Sequence, residues 1–183
     1  MKWVKRIVMV VAALLILPVL TLLLLGLRSG AGHVRSSVDV QASPGQLWTW
    51  IDDGEYVKRW VSWTVEMKPW NPSAGVGATR SAVMRDENNG GAQMVIDGTC
   101  TEYTPPKMLA VKLSVPNVFD GLQTYHLTDL GNGRTRLVIE MSYHFDSALA
   151  RLMEPLITPS ARKKMDGDLA RLKSLVEGRA ELH

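Results

Sequence analysis

The chain has 183 residues, with 21 Lys and Arg against 18 Asp and Glu, four His and one Cys. Lys2, Lys5 and Arg6 account for the whole formal charge of +3, because residues 28–183 carry 18 basic and 18 acidic side chains. A charge-balanced domain lacks the cationic surplus that displaces counterions from phosphates, which excludes a nucleic-acid partner, and a lone Cys100 excludes an intrachain disulfide framework and a Cys-based zinc site of the usual spacing.

Residues 7–27, IVMVVAALLILPVLTLLLLGL, carry no charge. At about 1.5 Å per residue this run would span roughly 31 Å, the hydrocarbon thickness of a bilayer, and it predicts one transmembrane helix. A cleaved signal peptide is the rival, since Ser29-Gly30-Ala31 offers small residues for cleavage, but signal cores run only about 7 to 15 residues. The basic flank 1–6 places the N-terminus in the cytoplasm. The expectation is a single-pass membrane protein with its domain on the periplasmic or extracellular side. Residues 28–33 then form a tether of at most about 20 Å, 34–178 a single domain of ordinary size, and 179–183 a tail.

Within the domain, Val34 to Gln41 alternates loosely and predicts a strand. Ser43, Pro44 and Gln46 supply a cap, a first helical residue and a capping-box partner for a short helix over 44–52. Asp52-Asp53-Gly54 breaks it, and a second short helix follows to Trp60. Val61 to Lys68 alternates at period two, with Val61, Trp63, Val65 and Met67 on the face predicted to be buried. Turn residues then separate strands expected at 77–85, 92–104, 108–115, 121–129 and 134–145, the last two joined at Asn132-Gly133, a strong hairpin signal. After Phe145 the period becomes helical. Pro155 should kink or end a first helical piece, and Thr158 and Pro159 should start a longer helix ending before Gly178. Ala161, Met165, Leu169, Leu172 and Val176 make one stripe on that helix, and the concave face of the sheet is the only large apolar surface to receive it.

Several segments are specific in combination: Val34-Arg35-Ser36-Ser37-Val38, Ala42-Ser43-Pro44 with Leu47-Trp48, Asp52-Asp53, Trp60-Val61-Ser62-Trp63, Gly75-Val76-Gly77, Glu102 to Lys107, Gly133 to Leu137, and the closing Asp168 to Glu177 helix. With this order of elements, residues 34–178 resemble the START-like superfamily, also called SRPBCC or polyketide cyclase/dehydrase and lipid-transport proteins. The resemblance implies an α+β helix-grip fold, like that of Bet v 1, in which an antiparallel sheet wraps a long C-terminal helix over a hydrophobic cavity. Members use that cavity for lipids, sterols, hormones or polyketides, so the fold does not choose the ligand.

Five of the six Trp fall between residues 48 and 70. They either fill the junction of the short helices with the sheet or form an aromatic cavity mouth, with Trp63 inward and Trp70 at the rim. The hairpin places residue 126 opposite 139 and 144 opposite about 121, so His126 and His144 stand about 17 to 20 Å apart and share no metal. A one-residue shift would exchange which of Tyr125 and His126 faces inward. Asp97, Glu102 and His126 are the candidates for proton transfer. No Ser-His-Asp order, Cys-His pair or phosphate-binding glycine loop occurs, and no cofactor or metal is expected. Cys100 reads as a small core residue, and Arg162-Lys163-Lys164 as a solvated helix face or a contact for anionic lipid.

The expected function is membrane-tethered binding or transfer of a hydrophobic small molecule, lipid-like in character. The cavity is expected to be lined by Trp60, Trp63, Met67, Tyr103, Leu113, Tyr125, Met141, Tyr143, Leu152, Leu156, Met165, Leu169 and Leu172. One alternative is a cyclase- or dehydratase-type enzyme using the same cavity. The other is a ligand-free envelope interaction module whose interior is filled by its own side chains. Oligomeric state is not legible in the residues.

Overall fold

The computed structural model describes residues 2–26, 31–86 and 90–180. Its elements are α1 (Lys2–Gly26), β1 (Ala31–Val40), α2 (Pro44–Asp52), α3 (Gly54–Trp60), β2 (Thr64–Met67), β3 (Thr79–Asp86), β4 (Ala92–Thr104), β5 (Met108–Val115), β6 (Phe119–Gly131), β7 (Arg134–Phe145) and α4 (Ala148–Ala180). The strands form one antiparallel sheet in the order β1-β7-β6-β5-β4-β3-β2. Only the β1 to β7 neighbourhood departs from chain order, because α2 and α3 carry the chain from one edge of the sheet to the other. α4 closes over the sheet in the helix-grip arrangement.

The local chemistry predicted from sequence forms these elements. Ser43 accepts from the Gln46 amide while Gln46 Oε1 accepts from the Ser43 amide at 3.0 Å, which completes the capping box of α2. Asp53 caps α3 by accepting from the Glu55 amide at 2.8 Å. Asn132 and Gly133 both have positive φ, 54° and 67°, as a two-residue hairpin turn of the primed type requires.

Several boundaries and faces differ from expectation. Ala31 to His33, assigned to the tether, are strand residues paired with His144, Tyr143 and Ser142 of β7. β2 is confined to Thr64–Met67, and a bulge between Thr64 and Glu66 breaks its alternation. Thr64 is therefore buried and Val65 exposed, the reverse of the period-two reading. A second bulge, between Asp129 and Gly131, shifts the β6 register by one, so Tyr125 pairs with Ile139 and His126 with Val138. The helix does not break at Pro155. α4 runs through Pro155 and Pro159 as one element, and Thr158 sits inside it rather than at a cap. That stretch is pinned to the sheet by a 2.6 Å hydrogen bond between the Tyr143 and Thr158 hydroxyls, with Thr158 also bonded to Glu154.

The 25-residue α1 presents exposed apolar side chains, Leu14, Leu15 and Leu17 among them. Among the described residues no helix is long and apolar enough to cross a membrane. The bilayer-spanning assignment of residues 7–27 therefore rests on the sequence alone.

The core has two parts. Leu47, Ile51, Leu109, Leu137, Leu169 and Leu172 anchor the larger, where α2 and the C-terminal half of α4 meet the sheet. Val34, Ile96, Val115, Phe119 and Tyr143 form the smaller. Leu113 and Met165 pack against both. The space between the two clusters is where the structure stays open.

One cross-strand row sets the floor of that space: Arg80, Gly98, Leu113, Gly121, Tyr143 and Gly32 are successive partners from β3 to β1. Large side chains alternate with glycine, so each can lie over the bare backbone beside it. The constraint is tightest at Gly32, where an added Cβ would fall 2.2 Å from Tyr143 Cζ. Gly32→Ala should therefore displace the Tyr143 ring, break its bond to Thr158 and cost about 1 to 3 kcal/mol. Urea denaturation of the two proteins measures this, and a difference below about 0.5 kcal/mol, within the range of ordinary surface substitutions, would contradict the packing.

Candidate functional site

Between the sheet and the N-terminal half of α4 lies a cavity of about 650 Å³. Trp60, Trp63, Met67, Leu113, Tyr125, Met141, Tyr143, Leu156 and Met165 line it. Leu156 and Val118 are lining residues that are also exposed, at 60% and 40%, and they mark its opening. Further apolar wall comes from Met84, Met94, Ile96 and Phe119. Three expected members, Tyr103, Leu169 and Leu172, stand elsewhere. Leu169 and Leu172 fill the larger core cluster with no exposed surface to spare, because the helix there sits down on the sheet. Tyr103 is turned toward α2, and the Leu152 side chain lies outside the described residues.

None of the three proton-transfer candidates reaches the cavity. Asp97 alternates with buried Ile96 and Gly98 and is exposed on the other face. Glu102 follows a bulge between Cys100 and Glu102 that resets the alternation, so that Tyr103 takes the inward position and Glu102 is exposed. The β6 register turns buried Tyr125 inward and His126 outward. His144 pairs with Asp120, six residues along β6 from His126, too far for a shared ion. Among the described residues no group of His, Cys, Asp or Glu is arranged to hold a metal.

Two charged groups that line the cavity, Arg80 and Asp168, were not singled out as site residues by sequence patterns. Arg80 stands on β3 at the inward positions shared with Ala82 and Met84. An Arg in a strand ordinarily reads as outward; its spacing from Ala82 and Met84 was the available signal. Its Nη1 donates to the Asp52 carbonyl at 3.0 Å and its guanidinium lies 4.0 Å from the centre of the Trp70 ring. Burial pushes the Arg80 pKa below its ordinary value. Gly98, its cross-strand partner, puts no side chain beside it. Asp168, on α4, is a buried carboxylate that lines the cavity and accepts from the Ser62 amide at 3.0 Å. Lys164 lies over the Trp63 ring, 4.6 Å from its centroid, bridging α4 to the segment before β2.

Asp52 organises the end of the cavity nearest α2. Its two carboxylate oxygens accept from Trp70 Nε1 at 2.9 Å and from the Tyr103 hydroxyl at 2.8 Å. Trp70, expected at the rim, is held by these contacts beneath Arg80 and does not line the cavity. Trp48 and Trp50 are buried in the core, and Trp60 donates to the Trp50 carbonyl at 2.8 Å. The five tryptophans of residues 48–70 thus divide, with Trp60 and Trp63 on the cavity and Trp48, Trp50 and Trp70 building the junction. Cys100 is buried, and burial raises its thiol pKa, which disfavours the thiolate.

A seven-stranded antiparallel sheet gripping a long helix over an apolar cavity defines a protein of the helix-grip fold. The chain belongs to the polyketide cyclase / dehydrase and lipid transport family, whose model matches residues 31–177. No curated protein matches the sequence. Among solved structures it is similar to the Zhui aromatase/cyclase from Streptomyces sp. R1128, at 18% identity and a TM-score of 0.65 over 82% of this chain and 96% of that one. It is also similar to a conserved protein from Geobacillus kaustophilus, at 10% identity and 0.64 over 81% and 95%. A protein from Chromobacterium violaceum matches at 16% identity and 0.61 over 80% and 98%. At these identities the similarity establishes the fold.

Burial, reinforced by donation to Asp52, pushes the Tyr103 pKa up to about 12. The folded value exceeds the unfolded value of about 10, so this contribution to stability is fully present below pH 10 and is lost as pH rises through about 12. Tyr125 and Tyr143, also raised by burial, add in the same sense. Urea denaturation at pH 9 and pH 11 should show the wild type losing more stability between them than Tyr103→Phe does. Equal losses would mean that Tyr103 is not held in this way.

Proposed function

We propose that the domain binds a hydrophobic small molecule, lipid-like in its apolar body, in the cavity between the sheet and the N-terminal half of α4. The observation that carries this reading is the cavity itself: about 650 Å³ of open, largely apolar space in a domain of this size. Pockets of that volume with a few convergent polar groups are ligand sites. Binding would draw on burial of ligand hydrocarbon against Met84, Met94, Leu113, Phe119 and Met141, at roughly 25 cal/mol per Å², and the methionines suit variable ligand shape. An interior filled by its own side chains, the ligand-free alternative, has no such space. Family membership supports the reading at the level of class.

The proposal includes a tether. Residues 7–27 would anchor the chain in a bilayer, with the basic flank 1–6 in the cytoplasm and the domain on the opposite side. β1 begins at Ala31, so only residues 28–30 would separate anchor from domain. α1 contacts α4, whose N-terminal half covers the cavity.

A second reading, a cyclase- or dehydratase-type enzyme, is favoured by one observation: Asp168 places a carboxylate on the cavity wall. A carboxylate in an apolar site is the kind of group that moves protons. Recovery of a bound ligand chemically unchanged after prolonged incubation separates binding from turnover.

Ala82 is buried, lines the cavity and lies between Arg80 and Met84 on the inward face of β3. Ala82→Phe should fill the ligand space, lowering affinity for a fluorescent fatty-acid probe by about tenfold or more, equivalent to about 1.4 kcal/mol. Its melting temperature should stay within a few degrees of wild type. Unaltered probe binding in a folded variant would place the ligand elsewhere. For the tether, full-length protein should remain with the membrane fraction after alkaline carbonate washing; release into the supernatant would overturn the anchor.

A further inference from the structure

Two of the cavity's polar groups can act together. Arg80 and Tyr125 both line it, and both are set in apolar wall, with Leu113 beside Gly98 in the row of Arg80 and Leu109 and Ile139 flanking Tyr125. Tyr125 shares a cross-strand row with Leu109 and Tyr103, and Tyr103 and Arg80 both donate to Asp52, which brings Arg80 and Tyr125 toward the same end of the cavity; in keeping with this, the guanidinium opposes the rise that burial imposes on the Tyr125 pKa. Arg80 makes one hydrogen bond to protein, from Nη1 to the Asp52 carbonyl, and among the described residues no carboxylate forms an ion pair with it. Both oxygens of Asp52 are already engaged by Trp70 and Tyr103. The Tyr125 hydroxyl has no protein partner among the described residues. Yet among those residues no buried side-chain nitrogen or oxygen is left without a partner. The remaining Arg80 N–H groups and the Tyr125 hydroxyl must therefore reach the open space of the cavity.

The Asp52 carboxylate, its oxygens committed to Trp70 and Tyr103, acts on Arg80 only through its field, so the unbonded edge of the guanidinium, set in apolar wall, is left to hold an anion directly. Its planar fork matches the two oxygens of a carboxylate, and a phenol hydroxyl beside it adds a third donor. The guanidinium can only donate, and the phenol hydroxyl beside it is free to donate as well. They select an acceptor that carries charge.

We propose that Arg80 and Tyr125 form an oxyanion-recognition point inside the cavity, so that the ligand is an amphipathic monocarboxylic acid with its head on these two residues and its apolar body toward Met94, Phe119 and Met141. This rests on the reading of the cavity as a ligand site and narrows the ligand to an acid over its neutral counterpart. Lys164 is a second cation on the wall, on α4 against Trp63, and it is the alternative source of any acid preference.

The test uses the full chain in native mass spectrometry, offered hexadecanoic acid and its methyl ester at equal concentration and neutral pH. The acid-bound form should exceed the ester-bound form by about tenfold, the scale of a charge-assisted hydrogen bond. Arg80→Gln should bring the ratio near one while ester binding persists, and Tyr125→Phe should lower it severalfold. A ratio near one in the wild type overturns the proposal, as does a ratio that survives Arg80→Gln or that is lost only in Lys164→Gln. Should Arg80→Gln fail to fold, the wild-type ratio and Tyr125→Phe, which keeps the buried ring, still decide it. Binding of neither compound would overturn the ligand-site reading and this inference with it, whereas equal binding of both would overturn the inference alone.

Discussion

The structure depends on how α4 is seated. Its C-terminal half buries Leu169, Leu172 and Val176 against the sheet, each fully buried leucine being worth about 2 to 5 kcal/mol against truncation. The N-terminal half carries Leu156, Ile157, Ser160, Ala161 and Lys164 over the cavity instead, and polar ties join it to the sheet, from Thr158 to Tyr143 and from Arg151 to the Phe145 carbonyl and His144. One end of the helix supplies the hold that lets the other end stand off. A helix packed along its whole length would leave a filled interior.

The sheet contributes the complementary half of that geometry. Glycine at 32, 98 and 121 alternates with Tyr143, Leu113 and Arg80 across one row, so bulky groups lie down rather than stand up into the gap. The cost is low tolerance at Gly32. The same row delivers Arg80 to the cavity wall, where the Asp52, Trp70 and Tyr103 contacts brace it from behind. Scaffold and candidate site are therefore one arrangement of residues. The braces set the position of a charge that the apolar wall by itself would expel.

Much of the fold was legible in the residues. The capping box at Ser43 and Gln46, the Asn132-Gly133 turn, and strands over 92–104, 108–115 and 134–145 all follow from local chemistry. Several of the misplaced side chains lie at bulges. Extra residues near Val65, Thr101 and Leu130 each reset a period-two alternation, and a side chain counted inward on one side of a bulge points outward on the other. Glu102 and His126 were lost as candidates this way, while Tyr125 was turned inward.

By itself the sequence determined the class of architecture, the charge balance of the domain, the apolar stripe of α4 and the apolar run at residues 7–27, because each is a matter of periodicity or summed composition. Only the tertiary structure decided which polar groups share the cavity. Arg80, Tyr125 and Asp168 come from β3, β6 and α4, and no local pattern relates positions so far apart in the chain. Strand register, bulge position and the height of a helix over a sheet are set by long-range packing, and those three quantities place the charge inside.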